Sequence, residues 1–173
     1  PLLDAKASGI AFTCDPITGR EDRMVVHAQW GLGETLVGGE TDGDEYVFAE
    51  DTTDTWRVIA QRRGGKGAMS VPTPEGGTTR VAVAQAEAAS DVLTTGQAEA
   101  LAALLRDAAV ALDFVAPFYD LEWVWDGTDF WLTQARRVTR RPHNTYPALR
   151  HAPAIWTRGN TCEVMPAPLS PMD

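Results

Sequence analysis

Cysteine is scarce. The chain carries two, Cys14 and Cys162, far apart and too few for a disulfide framework or for a structural zinc site, which takes about four ligands. Both are expected to be reduced thiols. No run approaches the roughly 18 apolar residues of a membrane helix, and the first residues lack the basic-then-apolar order of a signal peptide. A cytoplasmic setting is therefore expected, with no membrane partner. Positive charge is also in deficit: 15 Lys and Arg against 24 Asp and Glu leave a formal charge of -9. That balance argues against nucleic acid or an anionic surface, which reward clustered Lys and Arg. It leaves open a phosphate ligand that arrives with a divalent cation, because carboxylate and amide oxygens then bind the metal.

What is present is ordinary globular material, 44% hydrophobic and 23% charged over 173 residues, enough for one domain with a real core. SGIAFTCDPITG (8–19) and MVVHAQW (24–30) read as an antiparallel strand pair joined by a Pro/Gly turn. DEYVFAE (44–50) and TWRVIAQ (55–61) read as a second hairpin, and TTRVAVAQ (78–85) as a further strand. RRGGKGAMSVPTPEGG (62–77) is predicted to be a mobile surface loop. One long helix is predicted over 94–115, with Leu101, Leu105, Ala108, Leu112 and Val115 as its buried stripe, Thr94 or Thr95 as cap and Pro117 as its stop. After Thr139 there is no apolar periodicity, and the segment carries more than half of the chain's 11 prolines, so 141–173 reads as a linker or strap. Residues 1–140 form the expected domain, and both ends read as cut from something longer.

The sharpest feature is DLEWVWDGTDFWLTQARRVT (120–139), an apolar hairpin that also carries Glu122, Gln134 and Arg136. A turn centred on Thr128 pairs positions whose numbers sum to 256, which sets Glu122 opposite Gln134. Strand alternation then sends Glu122, Val124, Leu132, Gln134 and Arg136 to one face, and Leu121, Trp123, Trp125, Trp131, Thr133 and Ala135 to the other. Opposed Cβ atoms lie about 5 Å apart, with Arg136 one pleat further along at roughly 7 Å. That geometry suits a carboxylate and an amide oxygen sharing a divalent cation, and a guanidinium gripping a neighbouring phosphate. The competing reading, an exposed Glu/Arg face of a half-buried hairpin, is equally weighted at this point. A one-residue slip of register removes the first reading altogether.

The same residues carry a resemblance. DLEWVWDG…FWLTQARRVT is similar to the end of the ATP-grasp nucleotide-binding domain in the pyruvate phosphate dikinase and phosphoenolpyruvate synthase family. SGIAFTCDPITG resembles that family's S-G-V-x-F-T-x-D-P-x-T-G, and WGLGETLVGGETDGDEYVF its W-G-L-G-E-x-V-V-x-G-x-x-x-P-D-x-Y. The ordered motifs span residues 8–139. The resemblance implies an α+β fold, mostly antiparallel sheet with one long packed helix, as the C-terminal lobe of an ATP-grasp domain. It also implies ATP and Mg2+ as cofactors, with magnesium held at the positions of Glu122 and Gln134 and the nucleotide phosphates met at Arg136. Arg137 stands where the family usually has Pro, and Gly43 where it has another Pro.

The family's reaction passes phosphate from ATP through a phosphohistidine in a downstream domain to an acceptor such as pyruvate. None of His27, His143 and His151 has the glycine-rich setting of that carrier. The resemblance therefore implies that the N-terminal lobe, the phosphohistidine domain and the substrate domain belong to a parent protein, and that these residues alone are inactive. Two alternatives stand beside this reading: an antibiotic-modifying enzyme similar to rifampin phosphotransferase, and a non-catalytic nucleotide-binding or scaffold module.

Other motifs weigh less. GGKG (64–67) misses the Walker pattern because Gly67 stands at the hydroxyl position; it reads as a surface turn from which Lys66 still reaches a nucleotide. The Trp30–Glu34 loop fits backbone anion binding and tight turning about equally. His27 reads as a satisfied strand residue, Thr13 and Asp15 as shapers of the strand end and turn, and Asp42, Asp44 and Glu45 as a solvated acidic turn. Ser8 has no base at a telling spacing to make it a nucleophile.

Overall fold

The structure, a computed structural model, describes residues 5–33, 42–53, 55–114 and 117–138. The proline-rich segment from residue 139 onward, Cys162, Glu34 and Val115 lie outside them. Eight strands follow in order: β1 Ala7–Phe12, β2 Arg23–Trp30, β3 Asp44–Glu50, β4 Trp56–Arg62, β5 Ala68–Pro72, β6 Thr78–Ala82, β7 Tyr119–Trp125 and β8 Phe130–Arg137. Between β6 and β7 come a single turn of helix, α1 (Gln85–Ala88), and the long α2 (Thr95–Leu112). Six strands make one antiparallel sheet in the order β4-β3-β2-β1-β7-β8, and β5 and β6 pair apart from it. The class is α+β and mostly antiparallel, as the sequence predicts.

Alternation along each strand sorts the sheet into two faces. Ala7 and Ala11 of β1, Met24, Val26 and Ala28 of β2, Tyr46 and Phe48 of β3, and Leu121 and Trp123 of β7 join one core with Ala98, Leu101, Ala102, Leu105 and Ala109 of α2. The helix starts at a capping box: Thr94 Oγ1 accepts from Gln97 N–H at 3.3 Å, while Gln97 Oε1 accepts from Thr94 N–H at 2.9 Å. The predicted stripe holds only to Leu105. From there it advances by four to Ala109, leaving Leu112 53% exposed. The helix ends at Leu112, where Asp113 turns extended, so Pro117 is not its stop.

The predicted surface loop 62–77 is corrected. It contains β5, which pairs with β6 from Ala68↔Ala82 to Pro72↔Thr78. Five residues flanked by Gly and Pro give too short an alternation to stand out, and Pro72 is tolerated at the end of a strand in a two-stranded ribbon.

Thr13 and Asp15 act as predicted. Thr13 Oγ1 donates to Pro117 O at 2.8 Å and accepts from Tyr119 N–H at 2.8 Å, fastening the end of β1 to the start of β7. Asp15 Oδ1 accepts from Ile17 and Thr18 N–H, closing the turn into β2.

Gly9 marks the tightest approach in the sheet. A Cβ there would lie 1.8 Å from the His27 carbonyl oxygen and 2.8 Å from Trp123 Cζ2. Neither the β2 backbone nor a buried indole has room to give way. Gly9→Ala is expected to cost about 3 kcal/mol, the upper end for overpacking, read as a lower urea midpoint with an unchanged slope.

Candidate functional site

The core occupies one face of the sheet; the candidate residues lie on the other. β7 and β8 pair as Tyr119↔Arg137, Asp120↔Arg136, Leu121↔Ala135 and Glu122↔Gln134. Glu122 and Gln134 are therefore directly opposed, as the hairpin register predicts. The route to that register differs from the expected one. Trp125 pairs with Phe130, so the turn is one residue tighter than a centre on Thr128 requires, and a bulge beyond Glu122 restores the count.

The bulge corrects the expected faces beyond Gln134. Leu132 now opposes Trp123, Trp131 opposes Val124, and Phe130 packs on the core beside Trp123 at 5.8 Å between ring centroids. One extra residue inverts the alternation for every position between it and the turn. Asp126 makes the tight turn possible: its Oδ1 accepts from Thr128 and Asp129 N–H at 2.8 Å each, its Oδ2 accepts from Trp131 Nε1 at 2.7 Å, and Gly127 takes a φ of 105°.

Arg136 reaches back over this pair. Its Nη2 lies 3.7 Å from Glu122 Oε1, with the guanidinium 59% and the carboxylate 30% exposed. An exposed contact at that distance leaves the arginine free to turn towards an anion. Asp120, opposite Arg136, has no assigned role in the sequence reading, although it stands two residues before Glu122 and so on the same face. Burial raises the pKa of its carboxyl, with Arg136 pulling the other way, and its Oδ1 is buried without a hydrogen-bond partner.

The fit to a divalent cation follows from the donors. Glu122 and Gln134 offer a carboxylate and an amide oxygen from opposed positions, both hard ligands. No cluster of three or more His, Cys, Asp or Glu suited to a metal exists among the described residues. Two such oxygens suit a divalent cation that takes one or two protein ligands and completes its shell with phosphates and water, as magnesium does.

In the glycine loop, Gly31 N–H donates to Lys6 O at 3.0 Å and Leu32 N–H to Ser70 O at 2.9 Å, so these two groups are committed and cannot cradle an anion. Gly31 has a φ of 70°, and a Cβ on it would meet Ser70 O at 2.5 Å, which favours the tight-turn reading there. Ser8 Oγ donates to Gly31 O at 2.6 Å and Gln29 Nε2 to Leu32 O at 2.7 Å, so both side chains hold the loop against the candidate face.

Lys66 and Asp44 lie where the sequence does not predict them. Lys66 is not on a surface turn and Asp44 is not solvated: they form an ion pair with side chains 1% and 0% exposed. Asp44 also accepts from Gly64 N–H at 3.0 Å and Val92 N–H at 2.8 Å. Lys66 is thereby committed to Asp44. His27 faces away from Val26 and the core, with Nε2 3.9 Å from Glu45 Oε2. A cavity of about 200 Å³ lies between β4 and α2, lined by Arg57, Glu99 and Arg106 among others, and shares no residue with the Glu122 site.

A family model described as pyruvate phosphate dikinase, AMP/ATP-binding domain, matches residues 2–152. The chain is 34% identical over 138 residues to a rifampicin phosphotransferase of a Streptomyces species, covering 80% of this chain and 15% of that protein. It is 29% identical over 146 residues to a phosphoenolpyruvate synthase of Pyrococcus furiosus (80% and 17%). It is 27% identical over 181 residues to a prodigiosin synthesizing transferase of Serratia marcescens (99% and 20%). The chain thus spans a fifth or less of the length of these relatives.

Proposed function

Because the chain belongs to the pyruvate phosphate dikinase AMP/ATP-binding domain family, we propose that it is the ATP-binding part of a dikinase-type phosphotransferase, the C-terminal lobe of an ATP-grasp domain. Glu122 and Gln134 would hold Mg2+ on the polyphosphate, and Arg136 would neutralise charge on the phosphoryl group that leaves. The observation that carries the reading is the opposed Glu122–Gln134 pair with Arg136 beside it on the side of the sheet away from the core. Bound magnesium supplies charge neutralisation of the phosphates. The protein's own part is to fix the two oxygens on adjacent strands and to keep a mobile guanidinium within reach, since phosphoryl transfer depends chiefly on positioning and electrostatics.

In this reading phosphate leaves ATP for a histidine carried elsewhere in the parent protein and passes to an acceptor such as pyruvate. The 34% identity to a rifampicin phosphotransferase supports a second acceptor class, an antibiotic, served by the same nucleotide site. The parent protein works in the cytoplasm.

Calorimetry with ATP on the full-length protein tests the nucleotide site. Binding is expected only with Mg2+ present, and Arg136→Ala should weaken it about tenfold, the loss of one charge-assisted contact. Arg136 is exposed, its contact with Glu122 spans 3.7 Å and it otherwise acts on the half-buried Asp120, so the variant should lose less than about 1 kcal/mol of stability. Equal binding with and without magnesium would overturn the assignment.

A further inference from the structure

The register of the large sheet aligns one residue from each of its six strands into a single row: Arg62↔Glu45 (β4–β3), Glu45↔His27 (β3–β2), His27↔Ile10 (β2–β1), Ile10↔Glu122 (β1–β7) and Glu122↔Gln134 (β7–β8). Directly paired residues project to the same side, so the row runs across the face that carries Glu122. Its two ends are polar and its middle is apolar. On one side of Ile10 stand Glu122, Gln134 and Arg136. On the other stand His27, with side chain 25% exposed, and Glu45, 30% exposed and shared between His27 Nε2 at 3.9 Å and Arg62 Nε at 3.8 Å.

Strands are about 4.8 Å apart, which puts His27 roughly 10 Å from Glu122 across the Ile10 ridge before side chains lean inward. The flanking rows offer little else. On one side lie Val47, Val25 and Phe12, ending in Asp120 and Arg136; on the other Gln29 and Ser8 are occupied by the glycine loop. We propose that His27 is a second contact for the nucleotide polyphosphate, which lies across the strands from Glu122 and Gln134 over Ile10, and that the imidazole takes up a proton as the phosphate binds. This rests on the reading of Glu122, Gln134 and Arg136 as the nucleotide site.

The charge count motivates the proton. A Mg-bound nucleoside triphosphate retains negative charge, and the carboxylates of Glu122, Glu45 and the half-buried Asp120, with Asp42 acting on His27, already stand against two guanidiniums, Arg136 and Arg62. A further cation is needed where the chain of phosphates crosses Ile10, and His27 is the side chain there that changes charge near neutrality. In the free protein burial lowers its pKa, Glu45 and Asp42 pull upward, and Arg62 pushes down. A phosphate dianion beside Nε2 raises it. Affinity should then be highest below the free-state pKa and should fall as pH rises towards the bound-state value.

The test is calorimetry of Mg-ATP binding to the full-length protein at pH 6 and pH 8.5, in buffers of different ionisation enthalpy so that proton uptake is read directly. The wild type should take up protons at pH 6 to 7, and His27→Gln should bind about tenfold more weakly at pH 6 but within twofold at pH 8.5. The nucleotide's own terminal phosphate contributes equally to both proteins. Glu45→Gln provides a second, milder variant, expected to move the wild-type pH window downward because a charge that supports the imidazolium is gone.

If Glu122→Ala abolishes binding while His27→Gln keeps the wild-type affinity profile and proton uptake, the His27 contact is wrong and the nucleotide site stands. If Glu122→Ala binds like wild type, or wild type does not bind Mg-ATP, the nucleotide site is wrong and the proposal falls with it.

Discussion

Glu122→Ala in the full-length protein is expected to lower its labelling by ATP that carries label in both the β- and γ-phosphates by about 10²–10³-fold, the range seen when one preorganised electrostatic contact to a transition state is removed. The side chain is a third exposed, and its one close cation, the Arg136 guanidinium, lies at 3.7 Å and is more exposed still. Removing it should therefore cost less than about 1 kcal/mol of stability. That separation of effects is what makes the variant informative, because a loss of labelling cannot then be blamed on unfolding. Glu122→Gln keeps one oxygen donor without the charge and should fall between the two. Labelling of the alanine variant within threefold of wild type, with a normal melting curve, would sink the assignment of this carboxylate to the metal.

Much of the sheet was legible because its strands alternate: β3 lies where DEYVFAE predicts, β2 and β4 differ by one residue at their ends, and β1 stops at Phe12, seven residues short of the stretch read as strand, where the turn fastened by Thr13 and Asp15 begins. The helix was legible from its stripe and cap, although Leu112 was misplaced, since two stripes related by a single step of three or four share Leu101 and Leu105. Strand β5 was hidden by the glycines and prolines around it.

The candidate site was legible for a partly accidental reason. The turn is shorter than the sequence reading supposed and the bulge beyond Glu122 compensates, so Glu122 still meets Gln134 while Trp131 and Leu132 exchange faces. A bulge leaves no mark in hydrophobic alternation this short. Asp120 had a visible signal, its position two before Glu122, but only the sheet pairing shows that it opposes Arg136. The row through His27 was beyond reach, because it requires the registers of five strand pairs at once.

The Asp44–Lys66 pair was read the wrong way for a related reason, and it carries the second large expectation. An acidic turn and a glycine-rich lysine turn, 22 residues apart, both look solvated when read separately. Brought together they form a buried junction: Asp44 at the start of β3 receives the Lys66 ammonium, Gly64 N–H ahead of β5, and Val92 N–H ahead of α2. Gly64 fits only without a side chain, since a Cβ would stand 2.1 Å from Asp42 O. Asp44→Ala removes the acceptor of all three donors and leaves a buried ammonium unpaired, which should cost about 3–5 kcal/mol. Lys66→Met should cost less, because the carboxylate keeps its two backbone donors and the methionine fills much the same volume. The double variant Asp44→Ala/Lys66→Met should recover part of the loss of Asp44→Ala, since no charge is then buried alone. Urea denaturation of the four proteins measures the coupling directly. Additive losses from the two single variants would mean that the pair is not buried as a unit, and that the glycine-rich segment is the free surface loop its sequence resembles.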